Sequence, residues 1–149
     1  MDAVDRKIIA LLRDDSRISV TDLADEVPIS ISAASERLKR LTRSGMISRF
    51  TIELNAEMTG RTIDALIEIR LPTQVDHRPF DEAVRAMPAV VNALHLTGPF
   101  DYQLRVQTRD VPELDAFLSK LKLDFGVAET NTRLALRTVE GFPRPPSLD

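Results

Sequence analysis

Apolar residues in the first 45 positions recur at the spacing of three short helices. The inward-facing positions are Val4, Ile8, Leu11 and Leu12 in the first, Val20, Leu23, Ala24 and Val27 in the second, and Ile31, Ala34, Leu38 and Leu41 in the third. Each set forms one apolar stripe on a helix. The pattern therefore predicts three amphipathic helices, over about residues 3–13, 20–27 and 31–44.

Short polar residues mark where these helices begin and end. Asp2, Ser19 and Ser30 precede the three runs, and their side chains can cap the first N–H groups of each helix. Pro28 ends the second run, and Gly45 can adopt the left-handed conformation that follows a helix. Residues 46–54, MISRFTIEL, then suit a β wing or a linking strand.

The outward face of the third helix changes from small to basic along its length. Its residues are Ser32, Ala33, Glu36, Lys39, Arg40 and Arg43, with Ser35 and Arg37 on the flanks. A helix-turn-helix has this order, because the N-terminal end of its recognition helix enters the major groove while cations contact phosphates. The spacing predicts base contacts from Ser32, Ala33 and Glu36, and phosphate contacts from Arg37, Lys39, Arg40 and Arg43. The alternative is a solvated face whose cations complement the helix dipole.

The second half of the chain alternates between strand and helix patterns. Period-two alternation predicts strands in residues 61–71, 90–96, 102–108 and 131–139, and helical spacing predicts helices in residues 78–87 and 114–122. This order, β-α-β-β-α-β, is that of a ferredoxin-like fold, in which two helices cover one face of a four-stranded antiparallel sheet. The other face mixes Arg105 and Gln107 with aliphatic residues, which predicts that two sheets pair in a dimer.

The fold class predicted for the whole chain is α+β, with an N-terminal winged helix-turn-helix and a C-terminal ferredoxin-like domain. The boundaries are residues 1–53 for the first domain, 54–61 for a linker, 62–140 for the second domain and 141–149 for a Pro-rich tail.

Charge is distributed unevenly around a net value of −3. Residues 1–50 hold nine Lys and Arg against eight Asp and Glu, whereas residues 51–149 hold eleven against fifteen. Residues 35–50 alone hold five basic residues against Glu36. Because a local basic stripe matters more than the total charge, a DNA partner is compatible with this composition.

The residues that enzymes and metalloproteins need are sparse. The chain has no cysteine, no Gly-rich phosphate loop and no Gly-x-Ser-x-Gly motif, and His77 and His95 have no acidic pair at metal-binding spacing. We therefore expect no catalysis, no metal and no cofactor. Residues 1–12, MDAVDRKIIALL, carry acidic and basic residues among the apolar ones, so we expect no signal peptide there. No apolar run approaches the ~20 residues that span a bilayer. The expected location is the cytoplasm, away from membranes.

Three motifs in this order, VDRKIIALLRDDSRISVTDLADEV, SERLKRLTRSGMI and GPFDY, resemble those of the Lrp/AsnC (feast/famine) transcriptional regulators. The resemblance covers nearly the whole chain. It implies a winged helix-turn-helix that binds double-stranded DNA and a βαββαβ domain that binds a small-molecule effector, often an amino acid. It also implies homodimers formed through the second domain, which commonly assemble into octamers.

The resemblance places amino-acid effectors around the turn in LTGPFDYQ, residues 96–103. The residues carried over are Gly98, Pro99, Phe100, Asp101, Tyr102 and Thr132. Chemically, Gly98 permits close approach, Phe100 offers an apolar wall, and Asp101 offers an anion to an ammonium group. Pro99 departs from the family, which has an aspartate there, and it has no N–H to donate. The alternative is a conformational turn in which Asp101 accepts backbone hydrogen bonds, and both roles can coexist.

Two other functions stay open at this point. The chain could be an architectural protein that condenses DNA without a ligand and with little sequence preference. It could also be a metabolic enzyme or regulatory subunit built on the ferredoxin-like half.

Overall fold

A computed structural model describes residues 1–52, 54–55, 57–73, 76–137 and 139. The Pro-rich tail predicted at 141–149 lies outside the described residues. The chain divides into two compact units, of which the first includes Met1–Glu53 and the second is Leu54–Glu140.

The first unit contains the three predicted helices. They are α1 (Ala3–Asp14), α2 (Val20–Glu26) and α3 (Ile31–Arg43). Each begins at its predicted cap, because the side chains of Asp2, Ser19 and Ser30 accept hydrogen bonds from the backbone N–H three residues later. Ile8, Leu23, Val27 and Leu41 are buried together where the helices meet. Burial of this shared apolar stripe is the main stabilising contribution to such short helices.

Two predictions for this unit are wrong. Ile31 is 53% exposed rather than buried, because it is the first residue of α3 and precedes Ala34, where the helix enters the core. Residues 46–52 form no strand. A strand needs a hydrogen-bonded neighbour, and the one sheet in the described part of the chain lies entirely in the second unit.

The second unit has the predicted β-α-β-β-α-β order. A short 3-10 helix, Glu57–Thr59, precedes β1 (Ile63–Arg70), α4 (Arg78–Ala86), β2 (Val90–His95), β3 (Tyr102–Thr108), α5 (Val111–Phe125) and β4 (Glu129–Leu134). All strand pairs are antiparallel, and the order across the sheet is β2-β3-β1-β4. The predicted position of the last strand is wrong. It begins at Glu129 and ends at Leu134, because β1 is its only partner among the described residues and Leu134 lies opposite Ala65, near the start of β1.

The two faces of the sheet differ in burial. Both helices pack on the face that carries Ile67, Ile69, Tyr102 and Leu104, which are buried with Phe80, Val84, Leu114, Phe117 and Leu121. The opposite face, which we call the open face, carries Asp64, Leu66, Glu68, Gln103, Arg105, Gln107, Asn131 and Arg133. Its charges are paired: Arg105 contacts Asp64 at 2.5 Å and Arg133 contacts Glu68 at 3.2 Å.

Two leucines of α5 test how much the helix-covered face stabilises the fold. Leu121 is 0% exposed and Leu123 is 84% exposed on the same helix. We expect Leu121→Ala to lower the free energy of unfolding by about 2–5 kcal/mol, because it removes buried methyl groups and leaves a cavity. The matched change Leu123→Ala should stay within about 0.5 kcal/mol. Urea unfolding followed by circular dichroism measures both, and equal losses would contradict the packing described.

Candidate functional site

Helix α3 presents the residues predicted for DNA contact on one surface, the α3 surface. Its members are Ser32, Ala33, Ser35, Glu36, Arg37, Lys39, Arg40 and Arg43. Ser32, Glu36, Lys39, Arg40 and Arg43 are exposed, and the other three are partly buried. Ser30 caps the helix at the end with small side chains, so the backbone there is fixed in place. The small-to-basic order seen in the sequence is therefore displayed along one exposed face.

Two of the four cations on this surface are paired with the start of α1. The side chain of Asp5 is only 4% exposed, and its Oδ1 lies 2.8 Å from Nη1 of Arg37 and 2.9 Å from Nη2 of Arg40. Asp2 accepts a second bond from Arg37 at 2.6 Å. Asp2 and Asp5 also bond each other's backbone N–H groups in a capping box. We call these two residues the α1 carboxylate pair.

The electrostatics of this pair favour the charged forms. Burial alone raises the pKa of Asp5, but hydrogen bonds from Arg37 and the Asp2 N–H, together with the charge of Arg40, leave its pKa below the usual value. The Asp5 N–H and then Arg37 lower the pKa of Asp2. Hydrogen bonds to Asp2 and Asp5 raise the pKa of Arg37. Sequence reasoning missed this network, although Asp2 and Asp5 stand at capping-box spacing and thus on one side of α1.

The other two cations on the α3 surface are in wetter surroundings. Arg43 lies 3.0 Å from Glu36, and both side chains are about 70% exposed. Such an exposed pair contributes little and exchanges readily with other partners. Lys39 is exposed and makes no ion pair with any residue that the structure describes. Lys39 and Arg43 are therefore the cations most accessible to an external anion.

The β2–β3 turn, residues 96–101, is fixed mainly by hydrogen bonds to the end of β1. The Asp101 N–H donates to the Ile69 carbonyl at 2.8 Å, and Asp101 Oδ2 accepts from the Leu71 N–H at 2.7 Å. Gly98 has a φ of 119°, a left-handed value that glycine tolerates. Asp101 thus has the conformational role considered from the sequence, and one of its oxygens is committed to that role.

Arg70 is a cation at this turn that sequence reasoning missed. Its Nε donates to the Pro99 carbonyl at 2.8 Å, and its guanidinium lies 5.3 Å from the centre of the Phe100 ring. Glu129 pairs with it at 3.2 Å. The alternation of β1 predicts Arg70 on the polar side of the strand. Its position beside the turn follows from the register of β1 with β3, which the sequence does not give.

Tyr102 and Thr132 lie away from the exposed side of the turn. Tyr102 is buried, donates to Asp81 at 2.7 Å and stacks on His95 with ring centres 4.7 Å apart. Burial, and then Asp81, raise the pKa of its hydroxyl. His77 Nδ1 is 3.1 Å from the same hydroxyl, so both histidines join this cluster, which the sequence did not reveal. Thr132 lies on β4, opposite Ile67.

In the part of the chain that the structure describes, no three His, Asp or Glu side chains are grouped to bind a metal ion. None of the helices within the described ranges has the length and hydropathy needed to cross a bilayer.

Comparison with known families matches both units. Residues 1–48 match the model of a winged helix-turn-helix DNA-binding domain, and residues 64–144 match the Lrp/AsnC ligand binding domain. The Bkd operon transcriptional regulator of Pseudomonas aeruginosa is 31% identical over 98% of this chain and 97% of its own. The HTH-type transcriptional regulator FL11 of Pyrococcus furiosus is 30% identical over 92% and 90%.

Solved structures agree with these matches. An AsnC family transcriptional regulator from Agrobacterium tumefaciens has a TM-score of 0.90 and 27% identity, covering 98% of this chain and 97% of its own. A transcriptional regulator from Neisseria meningitidis, solved as an L-Met complex, has a TM-score of 0.87 and 26% identity, covering 94% and 92%.

The α1 carboxylate pair predicts how acid affects the first unit. Because both pKa values are lowered by folding, the stability they contribute is present above the ordinary Asp pKa of about 3.9 and is lost as pH falls through the folded values. We expect the melting temperature of Asp5→Asn to fall less than that of the unmodified protein between about pH 5 and pH 2. Thermal unfolding at a series of pH values measures this.

The control for this experiment is Asp25→Asn, which removes an exposed carboxylate that pairs with no described residue. Its melting temperature should follow pH as the unmodified protein does. Parallel curves for all three proteins would contradict the network.

Proposed function

The chain belongs to the Lrp/AsnC family of transcriptional regulators, a family of DNA-binding regulators rather than enzymes, and we propose that it binds duplex DNA through the α3 surface. The observation that carries this proposal is the exposed small-to-basic face of α3 within a helix-turn-helix. Membership of this family excludes the metabolic enzyme that was an alternative from the sequence.

We assign different tasks to the two ends of this surface. Ser32, Ala33, Ser35 and Glu36 approach base edges in the major groove, where a small side chain such as Ala33 contacts a thymine methyl and Glu36 accepts from a cytosine amino group. Lys39 and Arg43 contact phosphates, which fixes the register without reading sequence. We assign no phosphate contact to Arg37 and Arg40, because the α1 carboxylate pair engages them.

We further propose that an amino acid is the effector and that it binds at the β2–β3 turn. The match to a ligand-binding domain and the likeness to a regulator solved with L-Met support this class of ligand. The guanidinium of Arg70 suits the carboxylate, Asp101 Oδ1 suits the ammonium group, and Phe100 suits the side chain. Gly98 and Pro99 shape the approach, whereas Tyr102 and Thr132 lie outside this site.

We also propose that the protein forms homodimers through the open face. The internally paired charges of this face reduce the cost of burying it against a second copy. Leu94 of β2 is about half exposed and adds apolar area at its rim. Assembly of such dimers into octamers, with the effector acting on that assembly, would link ligand binding to the spacing of recognition helices.

Lys39→Ala tests the α3 surface. We expect weaker binding to every duplex and a plot of log K against log salt that is shallower by about 0.9, because one phosphate contact is lost. Fluorescence anisotropy with a labelled duplex, titrated at several salt concentrations, measures this slope. Lys122→Ala, an exposed lysine on α5, is the matched control and should leave the slope unchanged. An unchanged slope for Lys39→Ala would contradict the phosphate contact assigned to Lys39.

Asp101→Asn tests the effector proposal without unfolding the turn. Asn keeps an acceptor for the Leu71 N–H, whereas Asp101→Ala leaves that N–H unpaired at a cost of about 1–3 kcal/mol. We expect Asp101→Asn to abolish the rise in melting temperature, and any change in sedimentation, that an amino acid produces with the unmodified protein. Calorimetric screening of the standard amino acids identifies that ligand.

Glu82→Gln on α4, with the same change in charge, is the control and should respond to the ligand normally. No response of the unmodified protein to any amino acid would refute the effector proposal and leave DNA binding unaffected.

A further inference from the structure

We propose that Asp5, assisted by Asp2, sets the DNA specificity of this protein by withholding Arg37 and Arg40 from phosphates. The inference rests on the proposed function, because it concerns the surface through which DNA is bound. It assigns to the start of α1 a role in discriminating one duplex from another, although α1 itself need not touch DNA.

The burial of Asp5 makes its hold on the two arginines firm. Asp5 is the one charged side chain among the described residues that is buried, and it accepts three guanidinium bonds of 2.8–3.0 Å. If a DNA phosphate replaced Asp5 as the partner of both arginines, the Asp5 carboxylate would be left buried and unpaired, which is strongly unfavourable. An exposed pair such as Arg43 with Glu36 carries no such penalty.

The consequence is a surface with little net charge. Four cations lie on the α3 surface, but Asp2, Asp5 and Glu36 oppose three of them. Binding without sequence preference comes almost entirely from cations that displace counterions from the DNA backbone. A nearly neutral surface therefore depresses binding to random duplexes, while contacts from the small side chains to base edges are unaffected.

A purely structural role for Asp5 predicts a different outcome. If Asp5 only positions α3, its loss should weaken binding to all duplexes and leave the salt dependence equal or shallower. If Asp5 withholds two arginines, its loss should strengthen binding to random duplexes and steepen the salt dependence. The sign of these two changes separates the roles.

The test compares the full-length protein with Asp5→Asn and with the charge-matched control Asp25→Asn. Anisotropy titrations use a labelled duplex of mixed sequence, and a second duplex selected from a random library by the unmodified protein. For Asp5→Asn we expect a slope of log K against log salt that is steeper by about 0.9 for each arginine released. The ratio of selected-duplex to mixed-duplex affinity should fall. Asp25→Asn should leave both quantities close to those of the unmodified protein.

Arg40→Gln, made in both backgrounds, tests whether Arg40 is released. The change should leave the slope nearly unaltered in the unmodified protein, and should lower it by about 0.9 in Asp5→Asn. An equal effect of Arg40→Gln in both backgrounds would overturn the inference, as would an Asp5→Asn slope no steeper than that of the unmodified protein.

Asp2→Asn keeps the test decisive if Asp5→Asn fails to fold, as judged by circular dichroism. Asn caps a helix as well as Asp, so this variant retains the capping bond and loses only the charge that faces Arg37. If Asp2→Asn binds the mixed duplex more tightly than Asp25→Asn does, the inference is supported. Equal binding by the two variants would overturn it. Failure of the unmodified protein to bind any duplex at low salt would instead refute the proposed function.

Discussion

A carboxylate buried between two helices needs cationic partners, because an unpaired charge there loses its hydration without compensation. Asp5 is in this position, and Arg37 and Arg40 supply the partners from α3. The same contacts set the start of α1 against the middle of α3 and lower the net positive charge of the α3 surface. Helix orientation and surface electrostatics in the first unit thus depend on one interaction.

The fold of the second unit depends on the period-two alternation of side chains along β1. Alternation directs Ile67 and Ile69 towards the helices and leaves Glu68 and Arg70 on the other side. Three consecutive β1-end residues, Ile69, Arg70 and Leu71, then bond the β2–β3 turn. Pro99 fits this arrangement, since β1 uses its carbonyl and does not require its missing N–H. The departure from the family pattern therefore removes a carboxylate from the turn while the fixed shape of the turn is retained.

Local rules explain what could be predicted from the sequence and what could not. Caps such as Asp2 and Ser30, and the spacing of Leu114, Phe117 and Leu121, lie within one helix and are readable without its neighbours. The pairing of Asp5 with Arg40 spans 35 residues, and the stacking of His95 on Tyr102 depends on strand register. The predicted position of the last strand is wrong for the same reason, because its limits are fixed by pairing with β1 rather than by its own residues.

The low net charge of the α3 surface also makes the second unit relevant to DNA binding. Each first unit would gain little affinity from phosphates, so a monomer would occupy DNA poorly. In an oligomer, a second α3 helix would bind at the high effective concentration set by its tether to the first. The resulting avidity would provide the affinity that phosphate contacts do not. Under the proposed function, occupancy would then depend on assembly, and a ligand that altered how the second units associate would change transcription without contacting DNA. Strong phosphate binding by every helix would weaken that control, since each monomer would already be bound.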